Sequence, residues 1–201
     1  AQDPGRDDRA QRGPLPHPDG RWLYVTNRLS NSLSVIDTES LNIIREVAVG
    51  DEPHGVVVEP AGQRLFVLNT TQDCISVVGS DPCGETHQLS AGRGPWSAAL
   101  SGDGRRCYVT SVRPDLLGFR EPPRSEVTII DTQRAVAVNR LVVHEANMLQ
   151  GIAFVPGRDV ALFTLMRTKN LVPATRLVQG WMITNGLGVI EPPPALLSTN
   201  I

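Results

Sequence analysis

The stretch HPDGRWLYVTN at residues 17–27 occurs again as EPAGQRLFVLN at residues 59–69 and as SGDGRRCYVTS at residues 101–111. Each copy has a glycine at its fourth position, and successive glycines are 42 residues apart both times. Apolar and polar residues alternate within the copies, which is the pattern of a strand buried on one face. A repeat of about 40 to 45 residues made of short strands has the length of one four-stranded β-propeller blade. The sequence therefore predicts an all-β fold of the propeller class.

The second copy indicates how one blade is laid out. We expect an inner strand over residues 55–59, a second strand over 63–69, a third over 74–78 and a fourth over 85–90. The segments between them are rich in Asp, Pro and Gly, whose backbone preferences suit tight turns.

The third-strand pattern occurs four times, as SVID at 34–37, SVVG at 76–79, TIID at 128–131 and GVIE at 188–191. We therefore predict about four four-stranded blades, over residues 15–50, 51–92, 93–143 and 144–201. Residues 1–14 are charged residues among Gly and Pro and are predicted to be a disordered tail. Little before His17 can serve as an inner strand, so the first blade is expected to lack one.

Composition excludes several classes of protein. The chain has 201 residues with 19 basic and 21 acidic side chains, which is far from the basic excess of nucleic-acid-binding proteins. No apolar run approaches the roughly 20 residues of a membrane span. Three cysteines occur without a Cys-x-x-Cys or Cys-x-x-Cys-His motif, so we predict no cofactor in this chain. Cys74 and Cys83 lie at opposite ends of one strand and are expected to form no disulfide.

The repeat resembles a known family. Tyr24-Val-Thr-Asn27, followed by Ser34-Val-Ile-Asp37 and by Pro53-His-Gly55, is similar to the YVTN family of bacterial β-propellers. Such propellers usually close with seven blades, so the resemblance implies that the blades of this chain form part of a seven-bladed ring. A compact four-bladed ring, or an oligomer that completes the circle, is the alternative.

A second, narrower resemblance lies at residues 173–190, PATRLVQGWMITNGLGVI. This stretch is similar to a subgroup of exported YVTN propellers that are often joined to a cytochrome c or di-haem peroxidase-like domain. The resemblance implies a periplasmic or extracellular protein. It also implies that haem c could be held by a domain outside this chain.

The candidate site follows from propeller topology. The loop from the fourth strand to the next inner strand and the loop from second to third strand open on the same face, where propellers commonly bind ligands. We place His54, Trp96 and the segment 144–150 in loops of the first kind. Insertions of the second kind cover residues 112–126 and 166–181. The candidate binding residues are His54, Trp96, His144, Met148, Arg167, Lys169, Arg176 and Trp181.

Exposed flat rings provide contact area at low entropic cost, and the insertions also contain Arg113, Arg120 and Arg124. These features favour a protein partner or a small anionic ligand at the channel mouth. The alternatives are that the tryptophans cap blade cores and that the charges are solvated. Imidazole and thioether groups suit copper, but His54 and its neighbours are better explained by packing at the channel lip, so no metal site is predicted.

Two functions from different classes remain. The first is a non-catalytic, exported propeller module that binds a ligand or partner at its loops. The alternative is the accessory propeller half of a c-type cytochrome or peroxidase-like oxidoreductase. A lactonase-type hydrolase shares the fold, but no metal-ligand or acid–base set in the sequence matches it.

Overall fold

The computed structural model of the chain describes residues 14–79, 86–116, 118, 121–168 and 183–191. Every regular element in these ranges is a β-strand. A helix long and apolar enough to cross a membrane is not found among them.

The strands form four antiparallel sheets in chain order, each running from an inner to an outer strand. The first sheet contains β1 (Leu15–Pro16), β2 (Trp22–Asn27), β3 (Ser32–Asp37) and β4 (Ile43–Ala48). The second contains β5 (Pro53–Val58), β6 (Arg64–Asn69), β7 (Cys74–Gly79) and β8 (Thr86–Ser90). The third contains β9 (Pro95–Leu100), β10 (Arg106–Ser111), β11 (Arg124–Asp131) and β12 (Val136–His144). The fourth contains β13 (Met148–Phe154), β14 (Ala161–Thr168) and β15 (Ile183–Ile190) in the part of the chain that the structure describes.

This architecture confirms the all-β propeller prediction. The strands expected in the second repeat agree with β5 to β8 within two residues. The repeated glycine ends the turn between the first and second strands with positive φ, 73° at Gly62 and 69° at Gly104. At Gly104 a Cβ atom would also lie 2.1 Å from Cγ of Pro60 in the preceding blade. The glycine therefore permits both the turn and the close approach of neighbouring blades.

The first blade does have an inner strand, so the expectation that it lacks one is wrong. The strand β1 has only two residues, and Leu15 pairs with Tyr24. Leu15 is buried in the core between the first two blades. One apolar residue is enough here because packing against the next blade, rather than strand length, holds the segment in place.

In the described residues the hydrophobic core is divided into three clusters, one between each pair of successive blades. Because successive residues of a strand point to opposite faces, Leu65 packs towards the first blade and Phe66 towards the third. Cys107 lies fully buried in the second cluster, as expected for a small core residue, and burial raises the pKa of its thiol to about 12. Cys74 is also a buried free thiol, whereas Cys83 lies outside the described residues.

A polar link joins the first blade to the second. Nδ2 of Asn69, at the end of β6, donates a hydrogen bond of 2.9 Å to Oγ of Ser76 on β7. The same oxygen accepts the backbone N–H of Gly50, in the loop before β5, at 3.2 Å. A Cβ atom on Gly50 would lie 2.6 Å from Asn69 Nδ2, so the link requires glycine. The Asn of the second-strand motif thus ties the loop between blades to the sheet.

Candidate binding face

Among the described residues, the loops expected to share one face do so; residues 169–181 of the second insertion lie outside them. In the loop before β5, the backbone oxygens of Glu52 and Asp51 accept the N–H groups of Thr70 and Thr71, which follow β6. One repeat later, the oxygen of Gly94 accepts the N–H of Val112 after β10. We call this side of the propeller the loop face; its loops in the described residues are 28–31, 49–52, 70–73, 91–94, 112–116 and 145–147.

His54 and Trp96 are in direct contact on the loop face. Each is the second residue of an inner strand, β5 or β9, in successive blades. Their ring centroids are 3.5 Å apart and the ring planes are inclined by 22°. Nδ1 of His54 lies 3.1 Å from the backbone oxygen of Trp96 and donates to it, because a carbonyl oxygen can only accept. The hydrogen bond and the stacking together fix the orientation of both rings, and we call this contact the His–Trp pair.

Both residues lie in strands, which corrects the prediction that they lie in loops. The ladder continues to the prolines before them, Pro53 opposite Asn69 and Pro95 opposite Ser111, with a register shift in each case. A β-bulge of this kind leaves a residue unpaired and re-aims its side chain. The sequence pattern did not reveal the bulge because the bulge recurs in successive blades and therefore leaves the spacing of the repeat unchanged.

The bulge recurs on the third inner strand of this series, where β13 shifts register between Leu149 and Ile152. Oγ1 of Thr110 donates to the backbone oxygen of Gln150 at 2.8 Å, as Oγ1 of Thr26 does to that of His54 at 3.4 Å. Gln150 therefore occupies the third bulge position. It was not among the predicted site residues; the signal that could have found it is the repeated Thr at the end of the second strand.

Two of the three arginines that the sequence placed in the third-blade insertion are paired with carboxylates. Arg113 forms an ion pair with Asp73 and donates to the backbone oxygen of Thr70 at 2.8 Å. Asp73 in turn accepts the N–H of Gly94 at 2.6 Å. Arg124, which belongs to β11 rather than to the insertion, pairs with Asp115 at 2.9 Å. These two charges hold the loop face together and leave less positive charge for a ligand than the sequence suggested. Arg120 lies outside the described residues.

Glu52 adds a negative charge to the same face. Oγ1 of Thr71 donates to its carboxylate at 2.5 Å, and Arg28 lies 3.3 Å away. The hydrogen bond from Thr71, followed by the nearby charge of Arg28, lowers the pKa of Glu52 below its ordinary value. The carboxylate therefore stays ionised, and the face carries charges of both signs.

The other predicted site residues are spread over the loop-face ends of the third and fourth blades. His144 is the exposed last residue of β12 and lies opposite Arg124 in the ladder between β11 and β12. Met148 begins β13 and is half-buried, while Arg167 lies near the end of β14 and is exposed. Lys169, Arg176 and Trp181 lie outside the described residues.

Among the residues that the structure describes, no group of three or more His, Cys, Asp or Glu side chains is placed to hold a metal ion.

The comparisons with known proteins agree with the fold. The family model described as "Lactonase, 7-bladed beta-propeller" matches residues 15–89. No curated protein matches the chain with significance.

Many solved protein chains have a similar structure. Hydrazine synthase of Kuenenia stuttgartiensis is 19% identical with a TM-score of 0.54, over 96% of this chain and 67% of that one. A putative 6-phosphogluconolactonase from Bacteroides uniformis is 11% identical with a TM-score of 0.59, over 89% and 57%. The Cps50 (Swd1) β-propeller domain of Myceliophteria thermophila is 14% identical with a TM-score of 0.56, over 75% and 48%. The chain thus spans about half to two thirds of these structures, and the likeness shows the fold alone.

Proposed function

We propose that this chain is a non-catalytic binding module that recognises a protein partner or a small anionic ligand at its loop face. The observation that carries the proposal is the His–Trp pair, two stacked rings held at successive bulges of the inner strands. Inner strands line the propeller channel, so the pair lies at the channel mouth.

The fixed geometry of the pair suits binding. Trp96 is half-buried, and one face of its ring stacks on His54. A large ring whose orientation is already set loses little conformational entropy when a partner covers it, which is why aromatic anchors dominate many interfaces. Because His54 is hydrogen-bonded to the Trp96 backbone, the pair is preorganised before a partner binds.

The preference for anions rests on Arg167 together with Lys169 and Arg176. Arg167 is exposed at the loop-face end of β14. The sequence between residues 166 and 181 contains no Asp or Glu that could neutralise these three charges. Such a local positive charge favours an acidic peptide or a small anion through long-range attraction.

The finer assignments rest on the sequence resemblance. We propose that the protein is a YVTN propeller of the exported subgroup and acts in the periplasm or outside the cell. The alternative role, accessory half of a c-type cytochrome or peroxidase-like oxidoreductase, is supported only by the resemblance at residues 173–190. Haem c would have to be attached in another domain, because this chain contains no Cys-x-x-Cys-His motif.

Lactone hydrolysis is the second candidate, and the family-model match over residues 15–89 favours it. A hydrolase needs a group that activates water. The contacts of the His–Trp pair instead fix the orientation of two rings and offer contact area to a partner. A lactone-hydrolysis assay of the intact chain, with and without added divalent metal, separates the two functions.

The binding proposal is tested by replacing Trp96 and a matched tryptophan. Trp22 is also half-buried, but it begins β2 and therefore lies on the opposite face. Wild-type, Trp96→Ala and Trp22→Ala proteins are immobilised and used to capture proteins from a periplasmic extract, and each is titrated with inorganic phosphate and a dicarboxylate by calorimetry. We expect Trp96→Ala to lose affinity at least about tenfold while Trp22→Ala keeps it.

Circular dichroism and thermal melts establish that both variants remain folded. Equal binding by the two variants, or lactone turnover that survives in Trp96→Ala, would contradict the proposal.

A further inference from the structure

The bulge residues of β5, β9 and β13 each have their backbone oxygen bound by a side chain of the preceding blade. Oγ1 of Thr26 donates to the oxygen of His54 at 3.4 Å, and Oγ1 of Thr110 donates to that of Gln150 at 2.8 Å. The oxygen of Trp96 lies between these two in the series, and it accepts Nδ1 of His54 at 3.1 Å. Each bulge therefore has a donor, but in the middle case the donor is an imidazole and not a hydroxyl.

The repeat shows why the middle donor differs. Thr26, Leu68 and Thr110 occupy the same position of β2, β6 and β10, so the second blade has a leucine where its neighbours have a threonine. A Cβ atom on Gly55 would lie 3.0 Å from Cδ1 of Leu68 and 3.2 Å from the backbone oxygen of Trp96, so the leucine side chain and this oxygen lie beside the same point. Leucine cannot donate, and the imidazole of the His–Trp pair supplies the missing hydrogen bond.

This exchange of donors couples the backbone of Trp96 to its ring. The imidazole that donates to the Trp96 oxygen also stacks on the Trp96 indole, with the ring centroids 3.5 Å apart. A threonine at position 68 would bind the backbone alone. His54 therefore fixes the bulge that aims Trp96 and also covers one face of the indole, which reduces the freedom that Trp96 would lose on binding.

We propose that His54 is a positioning residue for Trp96, and that a partner is contacted by the tryptophan rather than by the histidine. This inference rests on the proposed function, because it assigns the roles within the His–Trp pair. Nε1 of Trp96 is buried and has no hydrogen-bond partner in the described part of the chain. A partner on this indole is therefore met by ring carbons, which suit an apolar group of a protein better than a free anion.

Three variants separate the two roles. His54→Ala removes both the donor and the ring. His54→Asn removes the ring but keeps an N–H donor, since the amide nitrogen of asparagine and Nδ1 of histidine are both bonded to Cγ. Adding Leu68→Thr to His54→Ala restores the hydroxyl that the first and third blades have. His87→Ala, at an exposed histidine of β8, is the control.

The first measurement needs no ligand. The protein is labelled with fluorotryptophan, and the fluorine NMR resonance of Trp96 is assigned from the spectrum of Trp96→Phe. Wild type, the control, His54→Asn and the double variant should each give one narrow Trp96 resonance, because one ring orientation is populated. His54→Ala should give a broadened or split resonance.

Two spectra would overturn the proposal: an unchanged Trp96 resonance in His54→Ala, or an equally broad one in His54→Asn that circular dichroism shows to be folded. Leu68 is fully buried, so its replacement can unfold the double variant. The asparagine variant, which leaves the core intact, then decides the result.

The second measurement uses the periplasmic proteins that immobilised wild type retains and Trp96→Ala does not. His54→Ala should bind them at least about tenfold more weakly, and His54→Asn within about threefold of wild type. If His54→Asn binds as weakly as His54→Ala while its Trp96 resonance stays narrow, the histidine contacts the partner itself and the proposal is wrong. Equal retention by Trp96→Ala and wild type would instead contradict the proposed function, whereas the fluorine spectra would still decide how Trp96 is positioned.

Discussion

The second and third blades contain the same polar link with one residue changed. In the second, Asn69 donates to Ser76, and Ser76 accepts the N–H of Gly50. In the third, Thr128 accepts the N–H of Gly92 at 3.0 Å, but Ser111 stands where the asparagine would be. Ser111 is fully buried and its hydroxyl has no hydrogen-bond partner in the described part of the chain.

The difference separates two contributions to the blade junction. The glycine-to-hydroxyl hydrogen bond is kept in both blades, so it is the common element that holds the loop face to the sheet. The asparagine amide adds a second connection that the third blade lacks. A buried hydroxyl without a partner is unfavourable, since it has lost its hydrogen bonds to water. Oδ1 of Asn69 is likewise buried without a partner in the described part of the chain, so what the third blade lacks at this position is the hydrogen bonds of the amide N–H group.

Removing the amide from the second blade should have the largest effect. Asn69→Ala deletes the donor to Ser76 and to Sγ of Cys74 and leaves a cavity, so we expect a loss of about 3 kcal/mol in the free energy of unfolding. Urea denaturation followed by circular dichroism measures it. The control is Asn42→Ala, an exposed asparagine in the turn before β4, which should change stability by less than about 0.5 kcal/mol. Equal losses in the two variants would show that the amide link contributes nothing.

Introducing the amide into the third blade should have the opposite and smaller effect. Ser111→Asn places a donor near Thr128, as Asn69 is placed near Ser76, and should raise the free energy of unfolding by about 1 kcal/mol. Ser111→Ala is the matched comparison. It should be neutral to slightly stabilising, because the buried serine hydroxyl has no hydrogen bond to lose and its removal relieves an unsatisfied polar group. An asparagine variant less stable than the alanine variant would mean that the two junctions differ in shape and not only in this residue.

The smallest effect is expected at the other end of the inner strands, where Glu59 corresponds to Ser101. Oγ of Ser101 accepts the N–H of Arg106 at 3.0 Å, whereas Glu59 is a buried carboxyl, and burial raises its pKa above the ordinary 4.5. The folded protein therefore holds this proton more tightly than the unfolded chain. The stability contributed by the protonated carboxyl is lost as the pH rises from about 4.5 through the raised pKa.

Glu59→Gln removes that dependence. Relative to wild type, the variant should gain stability between pH 4 and pH 7 by less than about 1 kcal/mol. Thermal melts across this pH range measure the difference, with Glu39→Gln in an exposed turn as the control. A wild-type advantage that grows with pH would contradict the assignment, because it would mean that the ionised carboxylate is stabilised in the fold.

Most of the fold could be predicted because each repeat contains the turn residues that separate its strands. The turn glycine and the alternating strands mark the elements of each blade, and Ser76 and Thr128 lie on third strands as the pattern indicates. The short β1 could not be predicted, since two residues show no periodicity. Its position depends on the core that Leu15 enters.

The candidate site could be predicted only in part. His54 and Trp96 were found as unusual residues after prolines, and the repeat placed them at the same position of neighbouring blades. Their stacking depends on the distance between two inner strands, which the sequence does not encode locally. The same is true of Arg113, whose pairing with Asp73 joins residues 40 positions apart and turns an expected ligand contact into a structural one.

The sequence by itself determined that the chain is built from propeller blades. The repeat length, the turn residues and the alternation of apolar and polar residues are local properties, and each repeat shows them independently of the others. The tertiary structure decided which side chains of the loop face are engaged and which faces remain open. Those outcomes depend on contacts between blades: a bulge re-aims His54 against Trp96, and Leu187 is exposed although its counterpart Val127 is buried. Two residues in equivalent positions of a repeat share a local environment but not a neighbour, and the neighbour determines burial, pairing and binding.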